Sequence, residues 1–145
     1  MTGNKDIQQF IERAAKFHGH LGPFLVIGVR MGEIAKRHLD VDEKNSRGLQ
    51  ASIKTPLSTP FSCVIDGIQA TTSCTVGNQK LKIEESIGEI TGRFKLQGSD
   101  KTVKISVNPK VARNLTEEMG KGADSEQLAA KIAHLKEEQL FVLEE

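Results

Sequence analysis

The sequence predicts a single α+β domain, a small mixed β-sheet packed against helices. Apolar residues recur at helical spacing near both ends, at Ile7, Phe10, Ile11 and Ala14 and again at Leu128, Ile132 and Leu135. Between them, "LQASIKT" at 49 to 55 and "TVKISV" at 102 to 107 alternate as half-buried strands do. Helices come first, then a mixed run of strands, then terminal helices, and this order is not the regular alternation of a βαβ series. No repeat, low-complexity linker or domain boundary interrupts residues 1 to 145. A chain of that length buries about two-thirds of its unfolded surface, enough to fold without staples.

Asp6 followed by Gln9 has capping-box spacing and opens a first helix whose stripe continues to His18. Gly19 and Gly22 interrupt the pattern, and Pro23 suits the first turn of a second helix running to about His38. This helix is apolar nearly all round until Arg30, so its first half is expected to be buried. Gly28 and Gly32, one turn apart, would let another backbone come close, either within the chain or from a partner. "DVDEKNSRG" at 40 to 48 is a loop before the strand at 49 to 55. Thr59 and Pro60 read as a cap and proline entry to a third helix, about 60 to 72, with Phe61, Ile65 and Ile68 facing the core. "VGNQK" at 76 to 80 is a turn. "IGEITGRFKL" at 87 to 96 puts Ile90, Phe94 and Leu96 mostly on one face, and "QGSD" joins it to residues 102 to 107 as a hairpin. Asn108-Pro109 starts a short helix that Gly120 and Gly122 end. Asp124, with Gln127 completing a cap, opens a last helix over 124 to 141, with an "LFVL" tail at 140 to 143.

Composition narrows the function classes. The net charge is +1 with no dense basic cluster, and Trp and Tyr are absent, so nothing points to nucleic acid. The longest apolar run, "FLVIGV" at 24 to 29, is too short to span a bilayer, and the first ten residues hold no apolar signal core. A cytoplasmic protein with no membrane partner is expected, its two cysteines present as thiols.

The chemistry concentrates at "FHGHLGPF", residues 17 to 24. In an extended segment, residues two apart point the same way, so His18 and His20 would reach one point beside a helix start. The partial positive charge there favours neutral imidazole, the form that binds metal. Cys63 falls in the first turn of the third helix, where the helix field is expected to favour thiolate. Asp66 follows at one-turn spacing. Cys74 lies eleven residues beyond Cys63. That much helix advances about 16 Å, too far for a disulfide between them or a shared metal within one chain. His38 near a helix end and His134 on a solvated face hold less promise. Phosphate-loop, dinucleotide and G-x-S-x-G motifs are absent from the sequence.

"FHGHLGPFLVIGVRMG" at 17 to 32 with "CVIDGIQATTSCTVGNQKL" at 63 to 81 resembles the formylmethanofuran dehydrogenase E-subunit family. Its motifs look like F-H-G-H-x-C-P-G-x-x-x-G-x-R-M-G and C-x-x-D-x-I-Q-x-x-T-G-C-T-x-G, and the resemblance is strongest over 5 to 110. It implies an α+β core, often dimeric, holding a zinc-like metal near the H-G-H and Cys segments. The matching positions are His18, His20, Arg30, Cys63, Asp66, Gln69, Cys74 and Gly77. Gly22 stands where the family's first motif has Cys, which removes one potential ligand or redox partner, and Ser73 stands where the second has Gly. Many relatives carry a cysteine-rich zinc ribbon after the core, where a plain amphipathic helix is expected here. Nothing here offers the iron–sulfur cysteines or pterin pocket of the dehydrogenase itself.

Three readings follow. In the first, His18, His20 and Cys63 hold a divalent metal such as zinc, with Asp66 catalytic or orienting and Gln69, Cys74 and Arg30 binding a cofactor or substrate. In the second, Cys63 is a metal-free nucleophile with His18 or His20 as base. In the third, the cluster is structural in an accessory component of a larger dehydrogenase complex, and the chain is expected to be a homodimer.

Overall fold

The computed structural model describes the backbone of residues 4–145 and the side chains from Ile7 onward. Helix α1 spans Asn4–His18 and α2 Pro23–His38. Asp6 therefore lies inside α1, and its capping side chain falls outside the described residues. A 3₁₀ turn at Ser46–Gly48 leads into β1, Leu49–Thr55. Then come α3 (Cys63–Thr72), β2 (Leu81–Glu85), β3 (Thr91–Leu96) and β4 (Thr102–Val107). Three helices follow, α4 (Pro109–Gly120), α5 (Ser125–His134) and the single turn α6 (Glu137–Leu140), and β5 (Phe141–Glu144) ends the chain.

The strands form one mixed sheet in the order β2-β1-β3-β4-β5. Only β1 and β2 are parallel, joined through α3, and the remaining pairs are antiparallel. One face carries Leu49, Ala51, Ile53, Phe94, Val103 and Ile105 into a core shared with α2, while Gln50, Lys95 and Thr102 on the other face are exposed. This is the α+β architecture the sequence predicts. As expected, Asn108 caps α4 by accepting from Lys110 N–H at 3.0 Å, and Asp124 caps α5 by accepting from Gln127 N–H at 3.2 Å.

Helices α2 and α3 cross in direct backbone contact. A Cβ on Gly28 would lie 2.1 Å from the Val64 carbonyl oxygen, and one on Gly67 would lie 2.2 Å from that of Leu25. The close approach anticipated for Gly28 and Gly32 thus occurs within the chain. It also sets which face of α3 is inside: Val64, Gly67, Ile68, Thr71 and Thr72 are buried, while Ile65 stays half-exposed. Of the expected Phe61, Ile65 and Ile68 stripe, Ile68 is fully buried and the other two pack against the core half-buried, while small residues permit the tightest contact with α2.

Two other expectations are corrected. Residues 59–62 form a turn, with the Thr59–Pro60 bond cis, and α3 begins at Cys63 behind Ser62 rather than at Pro60. The last helix does not run to 141. It stops at His134, Leu140 ends the single turn α6, and the rest of "LFVL" joins Glu144 in a strand paired with β4, satisfying a strand edge that would otherwise be open.

Candidate functional site

The turn between α1 and α2 faces the first turn of α3 across a small cleft. Its shape starts with Gly19, whose φ of +90° suits glycine and ends α1 at His18. The H-x-H segment is therefore not extended: His18 is helical, and His20 lies beyond a left-handed turn on an exposed stretch. Both still line the cleft together with Cys63, and Gly22, Met119 and Ser125 complete its rim. Phe24 holds this end of α2 against Phe61 edge to face, with ring centroids 5.4 Å apart. Ser125 Oγ donates to the Leu21 carbonyl at 3.1 Å, tying the start of α5 to the turn.

His18 Nδ1 lies 2.6 Å from Asp66 Oδ2. A carboxylate only accepts, so Nδ1–H donates, and in the neutral ring Nε2 keeps its lone pair. Asp66 is held in turn by Gln69, whose Nε2 donates to Oδ1 at 3.1 Å, and Gln69 Oε1 accepts from Val76 N–H at 3.5 Å. A relay of fixed polar groups thus runs from the α3–β2 turn to the imidazole. Cys63 departs from expectation. Burial pushes its thiol pKa up, and the Asp66 carboxylate one turn away pushes it further in the same direction. These two effects outweigh the helix field, so the protonated thiol is favoured over the expected thiolate.

Two of the residues singled out in the sequence lie elsewhere. The Arg30 guanidinium donates to the carbonyl of Ile132 at 2.9 Å and to that of Leu135, where it satisfies the end of α5. Burial lowers its pKa, with Glu137 and Glu33 opposing. Cys74 is 1% exposed, its Sγ 3.2 Å from the Leu49 carbonyl, and burial pushes this thiol up as well. Both cysteines are free. Gly77 belongs to the turn after α3, and Ser73, at φ +60°, is the left-handed cap of that helix. Met119 and Ser125 were not legible as site residues, because only the tertiary return of α4 and α5 brings them there.

The cleft measures about 40 Å³. That is room for an ion or a water molecule, each water taking ~30 Å³ of liquid volume, and far below the ~300 Å³ at which organic-ligand pockets begin. Two imidazoles and one sulfur are donors that suit zinc by type. Among the described residues, however, no three His, Cys, Asp or Glu side chains are already arranged to hold a metal ion.

Fold and site together define a small α+β domain with a His/Cys cleft at the junction of three helices. The chain belongs to the family described as FmdE, molybdenum formylmethanofuran dehydrogenase operon, whose model matches residues 17–143. It is also 37% identical over 75 residues to a protein of Archaeoglobus fulgidus named a probable S-adenosyl-L-methionine-binding protein. That match covers 52% of this chain and 20% of the relative, so this chain corresponds to a minor part of that protein's length. Among the described residues, no helix is long and apolar enough to cross a membrane.

Proposed function

We propose that the cleft is a divalent-metal site, zinc by its donor types, with His18, His20 and Cys63 as the groups that would hold the ion. The observation that carries this reading is the 2.6 Å contact between His18 Nδ1 and Asp66. A carboxylate behind one ring nitrogen fixes the tautomer and presents the other, the arrangement metal-binding histidines use. The cleft's volume supports an ion over an organic substrate. When bound, such an ion supplies a Lewis acid that lowers the pKa of a bound water. The chain's own residues do the rest: Asp66 keeps the proton at His18 Nδ1, Gln69 keeps Asp66 in place, and Cys63 holds its proton at Sγ in the metal-free chain.

At the level of the cell, we read the domain as a cytoplasmic homodimer that assists a larger dehydrogenase complex of one-carbon metabolism. The S-adenosylmethionine named for the relative is too large for this cleft, so that property is not carried over to it. Elemental analysis of untagged protein tests the metal reading. Stoichiometric metal in the wild type, lost in Cys63→Ser/His20→Ala, is expected. No metal in the wild type, or unchanged metal in the double variant, overturns it.

A second reading has Cys63 as a nucleophile with His18 as its base, since Asp66, His18 and Cys63 meet at one end of α3. It requires a thiol apparent pKa of roughly 7.5 or lower. The upward push on Cys63 from burial and Asp66 weighs against it.

A further inference from the structure

A second concavity, much larger than the His/Cys cleft, lies apart from it. It lies on the sheet face opposite the helices and measures about 750 Å³, within the ~300–1,000 Å³ typical of small-molecule sites. Lys80, Lys82, Arg93, Lys95 and Lys104 line it, in a chain whose net charge is only +1. The registers explain the concentration. Lys82 pairs with Ser52, Ser52 with Arg93, Arg93 with Lys104 and Lys104 with Glu144, so these residues form one row across five strands. Neighbouring strands are about 4.8 Å apart, which sets Arg93 directly opposite Lys104. Gln50, Lys95 and Thr102 make the next row.

Like charges facing each other across strands are destabilising. The fold relieves only part of this. Lys104 has Glu144 at 3.5 Å, and Lys80 donates to the Arg47 carbonyl. The other lining carboxylate, Glu145, is engaged by His38 at 3.1 Å. Lys82, Arg93 and Lys95 take part in no ion pair among the described residues. The far end of the same face differs, because there Lys54 is matched by Glu84 at 4.0 Å and Glu89 at 3.5 Å. On this face of the sheet, the unmatched charge therefore lies at the concavity.

We propose that this face binds a small organic oligoanion, a ligand with three or more phosphate or carboxylate groups spaced to meet Lys82, Arg93 and Lys95. Charge complementarity and volume both point to that occupant. Arg93 offers the planar fork that engages either group in two hydrogen bonds, and Gln50, Ser52 and Thr102 add neutral hydrogen-bonding partners. A nucleic-acid strand fits less well, since the apolar lining residues Ala51, Phe94 and Val103 are buried and offer no stacking surface. An acidic protein partner would want exposed apolar anchors that this lining also lacks. The proposal stands apart from the metal reading and shares no residue with it.

Isothermal titration at low salt with sodium tripolyphosphate and, separately, with citrate tests it. Saturable binding of at least one probe is expected, weakened about tenfold or more in Arg93→Gln/Lys95→Gln and retained in Lys44→Gln/Lys121→Gln, which removes the same charge elsewhere on the surface. Binding of tripolyphosphate alone assigns phosphate chemistry, citrate alone assigns carboxylate, and both together assign charge matching. No saturable binding below about 1 mM, no loss in the first variant, or equal loss in both overturns the proposal. So does tighter binding of a single-stranded oligonucleotide than of either probe.

Discussion

One methyl group added at Gly28 should measurably loosen the domain. The Cβ of Gly28→Ala would sit 2.1 Å from the Val64 carbonyl oxygen and 2.9 Å from its carbon. Unstrained non-bonded contacts lie near 3.5 Å, so α2 and α3 must separate by about 1.4 Å along that contact. No rotamer change can relieve the contact, because the obstacle is backbone, and Gly67 meets the Leu25 carbonyl in the same way from the other side. Overpacking costs about 1–3 kcal/mol, and Ala in a helix interior returns about 1 kcal/mol relative to Gly. A backbone obstacle belongs at the upper end, which leaves a net loss of about 2 kcal/mol. At roughly 2–4 °C per kcal/mol for a domain of this size, Tm should fall by about 4–8 °C. Urea unfolding followed by far-ultraviolet circular dichroism measures the loss directly. Gly120→Ala is the control: nothing lies within 4 Å of its Cβ, and it should be neutral or slightly stabilising. Gly28→Ala as stable as the wild type would refute the backbone-contact argument, and with it the geometry that carries Cys63 and Asp66 to the cleft.

Asp66→Asn removes the charge that opposes the Cys63 thiolate, so iodoacetamide should label Cys63 faster at neutral pH while Cys74 stays protected. An unchanged rate would mean that burial alone sets the thiol. Because the fold raises the Cys63 pKa, its contribution to stability is complete below the unfolded thiol value of about 8.5 and is lost as pH rises through the folded value. Cys63→Ser should flatten that alkaline decline in urea midpoints. Arg30→Leu strips the guanidinium's hydrogen bonds from the Ile132 and Leu135 carbonyls and should cost about 1.5–3 kcal/mol, with amide exchange quickening in α5 before α2. Ser73→Gly relieves a left-handed residue at φ +60° and should raise stability by about 0.5–1 kcal/mol in the same urea assay, whereas a loss would show that the Ser73 side chain contributes more than its backbone costs.

What the sequence announced were features with local causes. The stripes of α1 and α2, the caps at Asn108 and Asp124 and the β3–β4 hairpin depend on neighbours a few residues apart, and they appear as read. Strand β2 was not legible. Leu81-Lys82-Ile83-Glu84 alternates for only four residues, and of the strand's five residues only Leu81 is buried, so its place depends on the parallel edge that β1 offers. Strand β5 was hidden by its apolar run, which suits helix or strand equally until β4 is available to pair with. At the site, the residue types pointed to the cleft's position between the α1–α2 turn and α3. The rest depended on long-range geometry. Gly19 turns the H-x-H segment out of extension, Asp66 opposes the thiolate it was expected to accompany, and Arg30 is spent on the end of α5.

The most direct test of the central claim is zinc X-ray absorption on untagged protein loaded with one equivalent of zinc and dialysed. The account predicts retained zinc with one sulfur at about 2.3 Å and imidazole nitrogens at about 2.0–2.1 Å, the sulfur lost in Cys63→Ser and an imidazole lost in His18→Ala. Zinc that washes out, or a shell of oxygen and nitrogen with no sulfur, would contradict it.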